Sequence, residues 1–256
     1  MRNYEPLLLK FCGQFGHREL SSLTTDSILS FLKDVTHGAK QSTKKLRYSL
    51  LSAFFNFVRD SIDPAFQNPC DSPFLKKVFR HAKPNHWKIV EKDVVDELIF
   101  RTEHPRNRLL LELMARCGMR VGEVLKIIPD DVDDRKVIIR DPKSGKQGEA
   151  VFLPQKVADR LKEYIRDNAI EPEKRIFPIS YPTARMVVKK AGELVGIDLR
   201  PHDLRRFAAT YASRAGTPLE IVSKIILRHS NLATTQRYLG EISEIEAMRW
   251  IDRLHS

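Results

Sequence analysis

The spacing of apolar residues divides the chain before any motif is considered. Over residues 1–80 every periodic run is helical. The segment LLLKFCGQF places Leu7, Leu8, Phe11 and Phe15 on one helical face. Thr24 or Thr25 can cap a second helix whose stripe is Ile28, Leu29 and Leu32. A third run, STKKLRYSLLSAFFNFVRD, starts at Ser42, and Leu46, Leu50, Phe54 and Phe57–Val58 are its expected buried face. Residues 74–79 predict a short fourth helix.

Beyond residue 88 the pattern is mixed. Helical spacing covers about 91–101, 106–116 and 120–127. Then VIIRD (137–141) and AVFLP (150–154) flank a polar, glycine-containing PKSGKQGE, which predicts a β-hairpin. DDVDD at 130–134 precedes it and reads as an exposed acidic turn. Helical spacing resumes at about 155–168, 182–195, 201–214, 218–227 and 231–238, and the amphipathic EISEIEAMRWIDRL follows. The expected architecture is mainly α, in two domains. A helical one comes first, followed by an α+β one with a small antiparallel sheet. Between them RHAKPNHWK, basic and interrupted by Pro84, reads as a linker.

Charge sharpens this division. The 256 residues carry a formal net charge of +11. Residues 1–88 hold 14 Lys/Arg against 7 Asp/Glu, and residues 89–256 hold 30 against 26. The smaller piece is therefore the more basic, and a polyanion is the expected partner. Lys44, Lys45 and Arg47 gather at the start of the third helix, where they suit phosphate contact. Lys83 and Lys88 lie in the basic linker. No apolar stretch approaches the roughly 20 residues of a membrane span, and MRNYEPLLLKF lacks the uninterrupted apolar run of a secretory signal. Three dispersed cysteines exclude a disulfide framework and a zinc ribbon, so a reducing, cytoplasmic setting is expected.

The common catalytic signatures are missing. There is no HExxH, EF-hand spacing, P-loop, dinucleotide fingerprint or GxSxG elbow, and no metal or cofactor is expected. Three short segments remain. Arg120 stands in CGMRVGEVLKI, at the start of a helix. PHDLRR puts His202 and Arg205 three apart on one helical face. His229 in RHS is followed nine residues later by Tyr238. Each alone has an ordinary reading as a surface cation, a satisfied histidine or a packed aromatic.

Their joint order resembles the tyrosine recombinase (phage integrase) family, over essentially the whole chain. The resemblance carries Arg120 and Arg205 onto the family's two arginines. His202 falls on the histidine of HxxR, His229 on the His/Trp position, and Tyr238 on the nucleophile. Lys143 fits the hairpin lysine, with Lys146 its competitor, and Glu123 matches an acidic position that orients the first arginine. Arg228 stands where the family often has Gly, and Arg206 where a His is frequent. Both are expected near the phosphate, with Arg206 on the DNA. In the same terms residues 1–80 are a SAM-like core-binding domain and 81–90 a linker. Residues 91–256 are the catalytic domain, with a tail at 241–256.

The resemblance implies a site-specific recombinase acting on double-stranded DNA through a 3′-phosphotyrosine, without ATP or metal. The tail, with Ile242, Ile245, Trp250, Ile251 and Leu254 on an apolar face, would link four protomers on paired DNA, with packing on its own domain as the alternative. Type IB topoisomerase-like relaxation and a catalytically inactive DNA-binding regulator are the alternatives. An RNA-binding reading has no stacking motif in its favour.

Overall fold

The computed structural model describes residues 4–80, 89–140, 148–229, 231–236, 239, 248 and 251–252. The chain divides into two compact units, residues 1–85 and 86–256. Lys83, Lys88, Lys143, Lys146, Tyr238 and most of the tail lie outside the described residues; of the tail, Met248 and Ile251 are described and exposed.

The first unit is helical. Helix α1 (Glu5–Phe15) buries Leu7, Phe11 and Phe15. Helix α2 (Thr25–Val35) starts at Thr24, whose hydroxyl accepts from the Ser27 amide at 3.3 Å, and buries Ile28, Phe31 and Leu32. Helix α3 (Gln41–Ser61) and α4 (Pro73–Val78) complete the unit. Its core is an aromatic cluster, in which Phe11 meets Phe31 and Phe55 edge to face with centroids 5.4 and 5.7 Å apart.

The buried stripe of α3 differs from the expected one. Leu51, Phe55 and Val58 are buried, whereas Leu46 and Phe57 are exposed and Leu50 and Phe54 are only half-buried. The segment LLSAFFNFV is apolar around most of its circumference, so two stripes one residue apart satisfy the same period. The partners Phe11 and Phe66, both packed on Phe55, select between them.

The second unit is mainly helical and carries a three-stranded antiparallel sheet. Helices α5 (Lys92–Arg101) and α6 (Pro105–Cys117) lead into a single turn, α7 (Val121–Val124). The expected helix to 127 stops at Val124 and continues as tighter turns, the Lys126 amide bonding to the Glu123 carbonyl and the Ile127 amide to that of Val124, before Ile128 is extended ahead of Pro129. Strands β1 (Val132–Asp133), β2 (Lys136–Ile138) and β3 (Ala150–Phe152) lie in that order. Val137 faces Val151 across the hairpin, and the ladder extends to an Ile139 amide–Glu149 carbonyl bond of 2.8 Å. DDVDD is thus partly strand, and Asp131 is buried rather than exposed. It accepts from the Ile128 amide at 3.1 Å and from Arg140 Nε at 2.5 Å.

Helices α8 (Gln155–Asp167), α9 (Tyr181–Glu193) and α10 (Pro201–Arg214) follow. The long helix expected at 218–227 is instead one turn, α11 (Leu219–Ile221), opening into a π turn at Val222–Ile226; α12 (Leu232–Gln236) comes next. Helix α6 runs through the centre of the core, with Leu110, Leu111, Leu113 and Met114 fully buried. No helix of the described residues is long and apolar enough to cross a membrane.

Candidate active site

The site begins where α6 stops. Gly118 has a left-handed φ of 62°, and the Met119 amide closes onto the Leu113 carbonyl at 3.2 Å. A Cβ on Gly118 would come within 2.8 Å of Ile226 Cγ2, so the glycine also lets the end of α6 touch the π turn. Arg120 then precedes α7. Its amide donates to Glu123 Oε2 at 2.8 Å and its Nη1 to Oε1 at 2.5 Å. One carboxylate therefore fixes both the backbone and the guanidinium of Arg120, whose side chain stays 27% exposed.

Helix α10 supplies the second pair. Asp203 Oδ2 accepts from the Arg200 amide at 2.9 Å, and Pro201 occupies the first turn, so the helix start is pinned. His202 and Arg205 then lie one turn apart on a common face. Arg205 is 1% exposed. It donates from Nη1 to the Gly118 carbonyl and from Nη2 to the Leu227 carbonyl. One guanidinium thus joins α10 to the end of α6 and to the end of the π turn. Arg206, expected on DNA, is buried and donates to Asp203 Oδ1 at 3.1 Å.

The π turn presents the third group. The His229 amide donates to the Ser223 carbonyl at 2.9 Å. His229 Nδ1 lies 2.9 Å from Thr235 Oγ1, which donates to Ser223 Oγ at 2.8 Å. Thr235 has one hydroxyl proton, so the network assigns the imidazole proton to Nδ1 and leaves Nε2 an acceptor. Partial burial pulls the His229 pKa down to about 4, aided by the charges of Arg205, Arg120 and Arg228. His202 keeps a solvent-accessible edge. Desolvation of the rest of its ring, then Arg205 and Arg206, lowers its pKa as well. Both imidazoles are therefore biased toward the neutral form.

Arg228 departs most from expectation. Its φ is 50°, a left-handed backbone that costs an L-residue about 1–2 kcal/mol. Its side chain turns inward and is 2% exposed. Nη2 donates to Glu123 Oε2 at 2.5 Å and Nη1 to the Ile226 carbonyl at 2.9 Å. Arg228, expected near the phosphate, is therefore directed at a carboxylate. Burial works to raise the Glu123 pKa, but Arg228 and Arg120 outweigh it and hold the carboxylate below its usual range.

The structure thus brings Arg120, Glu123, His202, Arg205 and His229 together. Lys44, Lys45 and Arg47 lie on the first two turns of α3, partly exposed, in the other unit. Ser223, Thr235 and Glu149 were missed in the sequence; Glu149 Oε2 lies 3.9 Å from Arg228 Nε. Thr235, three residues before Tyr238, carried the one available signal: a hydroxyl close to the candidate nucleophile. Among the described residues no group of three or more His, Cys, Asp or Glu side chains could hold a metal ion.

Comparison with known proteins gives the family and the fold. The sequence profile of the phage integrase family matches residues 88–243, and the chain belongs to that family. It is 29% identical over 240 residues to a tyrosine recombinase of Pseudothermotoga lettingae, covering 88% of this chain and 81% of that one. It is 32% identical over 218 residues to tyrosine recombinase XerD of Pseudomonas putida, covering 77% and 70%. The match to tyrosine recombinase XerA of Saccharolobus solfataricus is 28% identical and covers 64% of this chain, yet spans only 58% of that protein. Among solved structures, XerH bound to a palindromic difH substrate gives a TM-score of 0.73 at 21% identity, covering 99% of this chain and 78% of that one. The Tn1549 transposon integrase with transposon right-end DNA gives 0.72 at 15%, covering 100% and 93%. At these identities the two structures establish the fold alone.

Proposed function

We propose that this chain is a site-specific DNA recombinase that cuts and rejoins strands through a 3′-phosphotyrosine on Tyr238. The observation that carries the proposal is the convergence of Arg120, His202, Arg205 and His229, drawn from separate segments, around one place on the second unit. Such a concentration of fixed positive charge and imidazole is suited to a phosphodiester. Its transition state spreads negative charge over the non-bridging oxygens, and catalysis there is mainly positioning and charge stabilisation.

In the proposed step Tyr238 Oη attacks phosphorus and the bond to the 5′-oxygen breaks. A phenol has a pKa near 10, so its proton needs an acceptor, and neutral His202 is suited to take it. The leaving 5′-oxygen takes a proton from Lys143. Arg120 and Arg205 offset the developing charge. His229 starts neutral, and an anionic phosphate favours its imidazolium, whose Nε2–H then donates. The phosphotyrosine stores the energy of the broken bond, so attack by a 5′-hydroxyl from another strand reverses the chemistry without ATP. The guanidinium groups supply the charge stabilisation, so no metal is required.

Residues 1–80 act as the core-binding domain, with Lys44, Lys45 and Arg47 on phosphates. The tail joins protomers into a tetramer on paired DNA. Nicked duplexes built from inverted repeats beside the gene provide the test. Wild type is expected to form a covalent adduct that survives SDS, and Tyr238→Phe is expected to form none. An adduct persisting in Tyr238→Phe removes the nucleophile assignment. Relaxation of supercoiled plasmid lacking any such repeat indicates a topoisomerase-like activity instead.

A further inference from the structure

We propose that Arg228 is a positioning residue for the cleavage step, acting through Glu123 to hold the Arg120 guanidinium toward the phosphate. The inference rests on the proposed role of Arg120 in binding the scissile phosphate.

The geometry is a chain of two ion pairs sharing one carboxylate. Glu123 Oε1 takes Arg120 Nη1 at 2.5 Å, and Oε2 takes both the Arg120 amide at 2.8 Å and Arg228 Nη2 at 2.5 Å. With Oε2 anchored, the carboxylate plane is fixed, and with it the direction of Oε1. Arg228 is itself fixed, because Nη1 donates to the Ile226 carbonyl at 2.9 Å and its side chain is 2% exposed. Arg120 is the exposed member, at 27%. Order thus runs from the buried end of the chain toward the exposed guanidinium.

The backbone supports the same reading. Arg228 carries a left-handed φ of 50°, immediately before His229. Glycine reaches that conformation without strain, so the strained arginine is maintained by what its side chain does. The inward turn delivers a second cation to the Glu123 carboxylate, at Oε2. The charged and titratable groups around the pair are Arg120, Glu149 with its Oε2 3.9 Å from Arg228 Nε, and Cys117 and His229, both of which feel the Arg228 charge. Removing Arg228 would leave burial to push the Glu123 carboxyl up, and a protonated Glu123 holds Arg120 less firmly.

The test is a double-mutant cycle read by single-turnover adduct formation across pH, with thermal melts alongside. Arg228→Gly, which relieves the backbone, is expected to melt cooperatively and bind target DNA. Its cleavage should be slower by about 10- to 100-fold, the loss typical of a misplaced catalytic group. The acid limb of its rate profile should move to higher pH. Glu123→Gln is expected to lose a similar factor, and the double variant to be no slower than Glu123→Gln alone. The limb that appeared in Arg228→Gly should be gone from the double variant, because glutamine does not titrate. If the glycine variant does not melt cooperatively, Arg228→Met, which keeps the buried stem, carries the same expectations. Additive rate losses, or a uniform loss with the acid limb in place, would overturn the inference while a Tyr238-dependent adduct in wild type leaves the proposed function standing. A wild type that makes no adduct overturns both.

Discussion

His229 is held by its neighbours before any substrate arrives. Its Nδ1 faces Thr235, and Thr235 passes its own proton to Ser223, two hydroxyls that are 0% and 1% exposed. Thr235→Val keeps the shape and removes the relay, taking from Ser223 Oγ and His229 Nδ1 the partner that Thr235 supplies. A loss of about 1–3 kcal/mol of stability is expected. Nitrogen-detected NMR of the imidazole should also show the proton leaving Nδ1, and an unchanged tautomer would count against the relay. The lowered pKa has a second consequence. The folded value of about 4 lies below the unfolded 6.5, so the unfolded chain binds more protons between them. The contribution of His229 is complete above pH 6.5 and is lost as pH falls toward 4. Solvent screening of the half-exposed ring reduces it to about 1–2 kcal/mol. Urea unfolding at pH 7 and pH 4.5 should therefore show a smaller stability difference in His229→Asn than in wild type.

At the scale of elements, what is legible in the sequence is what is local. His202 and Arg205 share a turn of α10, which their spacing alone reported, and Arg120 and Glu123 are the cap and third residue of α7, a pair that the family resemblance brought together. Arg228 and Glu123 are 105 residues apart in sequence, and no local pattern reports an ion pair that depends on a left-handed backbone turning a side chain inward. The π turn was illegible for a related reason. IVSKIILR has ordinary helical periodicity, and the His229 amide bonding back to Ser223 is a tertiary outcome. The stripe of α3 failed because the pattern was redundant, and it yields a direct test. Phe55→Ala is expected to cost about 3–5 kcal/mol, the usual range for a fully buried phenylalanine. Phe57→Ala, at a residue 59% exposed, should stay within about 0.5 kcal/mol. Equal midpoint shifts in denaturant would return the stripe to the expected register. Gly118→Ala tests the joint between elements. It forces an L-residue to a positive φ and meets Ile226 Cγ2 at 2.8 Å, so a loss above about 1 kcal/mol is expected. The Gly118 carbonyl is also an acceptor for Arg205, so adduct formation should fall more than the stability loss alone explains.

Over the whole molecule, the total charge of +11 gives less information than its distribution. In the second unit many cations are neutralised locally, as Arg160 is by Glu112, Arg140 by Asp131 and Arg228 by Glu123. These pairs leave little net charge on the second unit to attract DNA. The first unit holds 13 basic residues against 7 acidic ones, so long-range attraction should come mainly from there. Each phosphate contact releases condensed counterions and adds about 0.9 to the slope of log K against log salt. Lys44→Gln, Lys45→Gln and Arg47→Gln together should therefore flatten that slope by up to about 2.7, with affinity lost about equally on target and random duplex. By contrast, Arg120→Ala removes one cation at the proposed scissile phosphate. It should change the slope by about one at most while abolishing adduct formation. If the triple variant keeps the wild-type slope in filter-binding titrations from low to high salt, α3 is not the phosphate-gripping surface, and the excess charge of the first unit acts elsewhere.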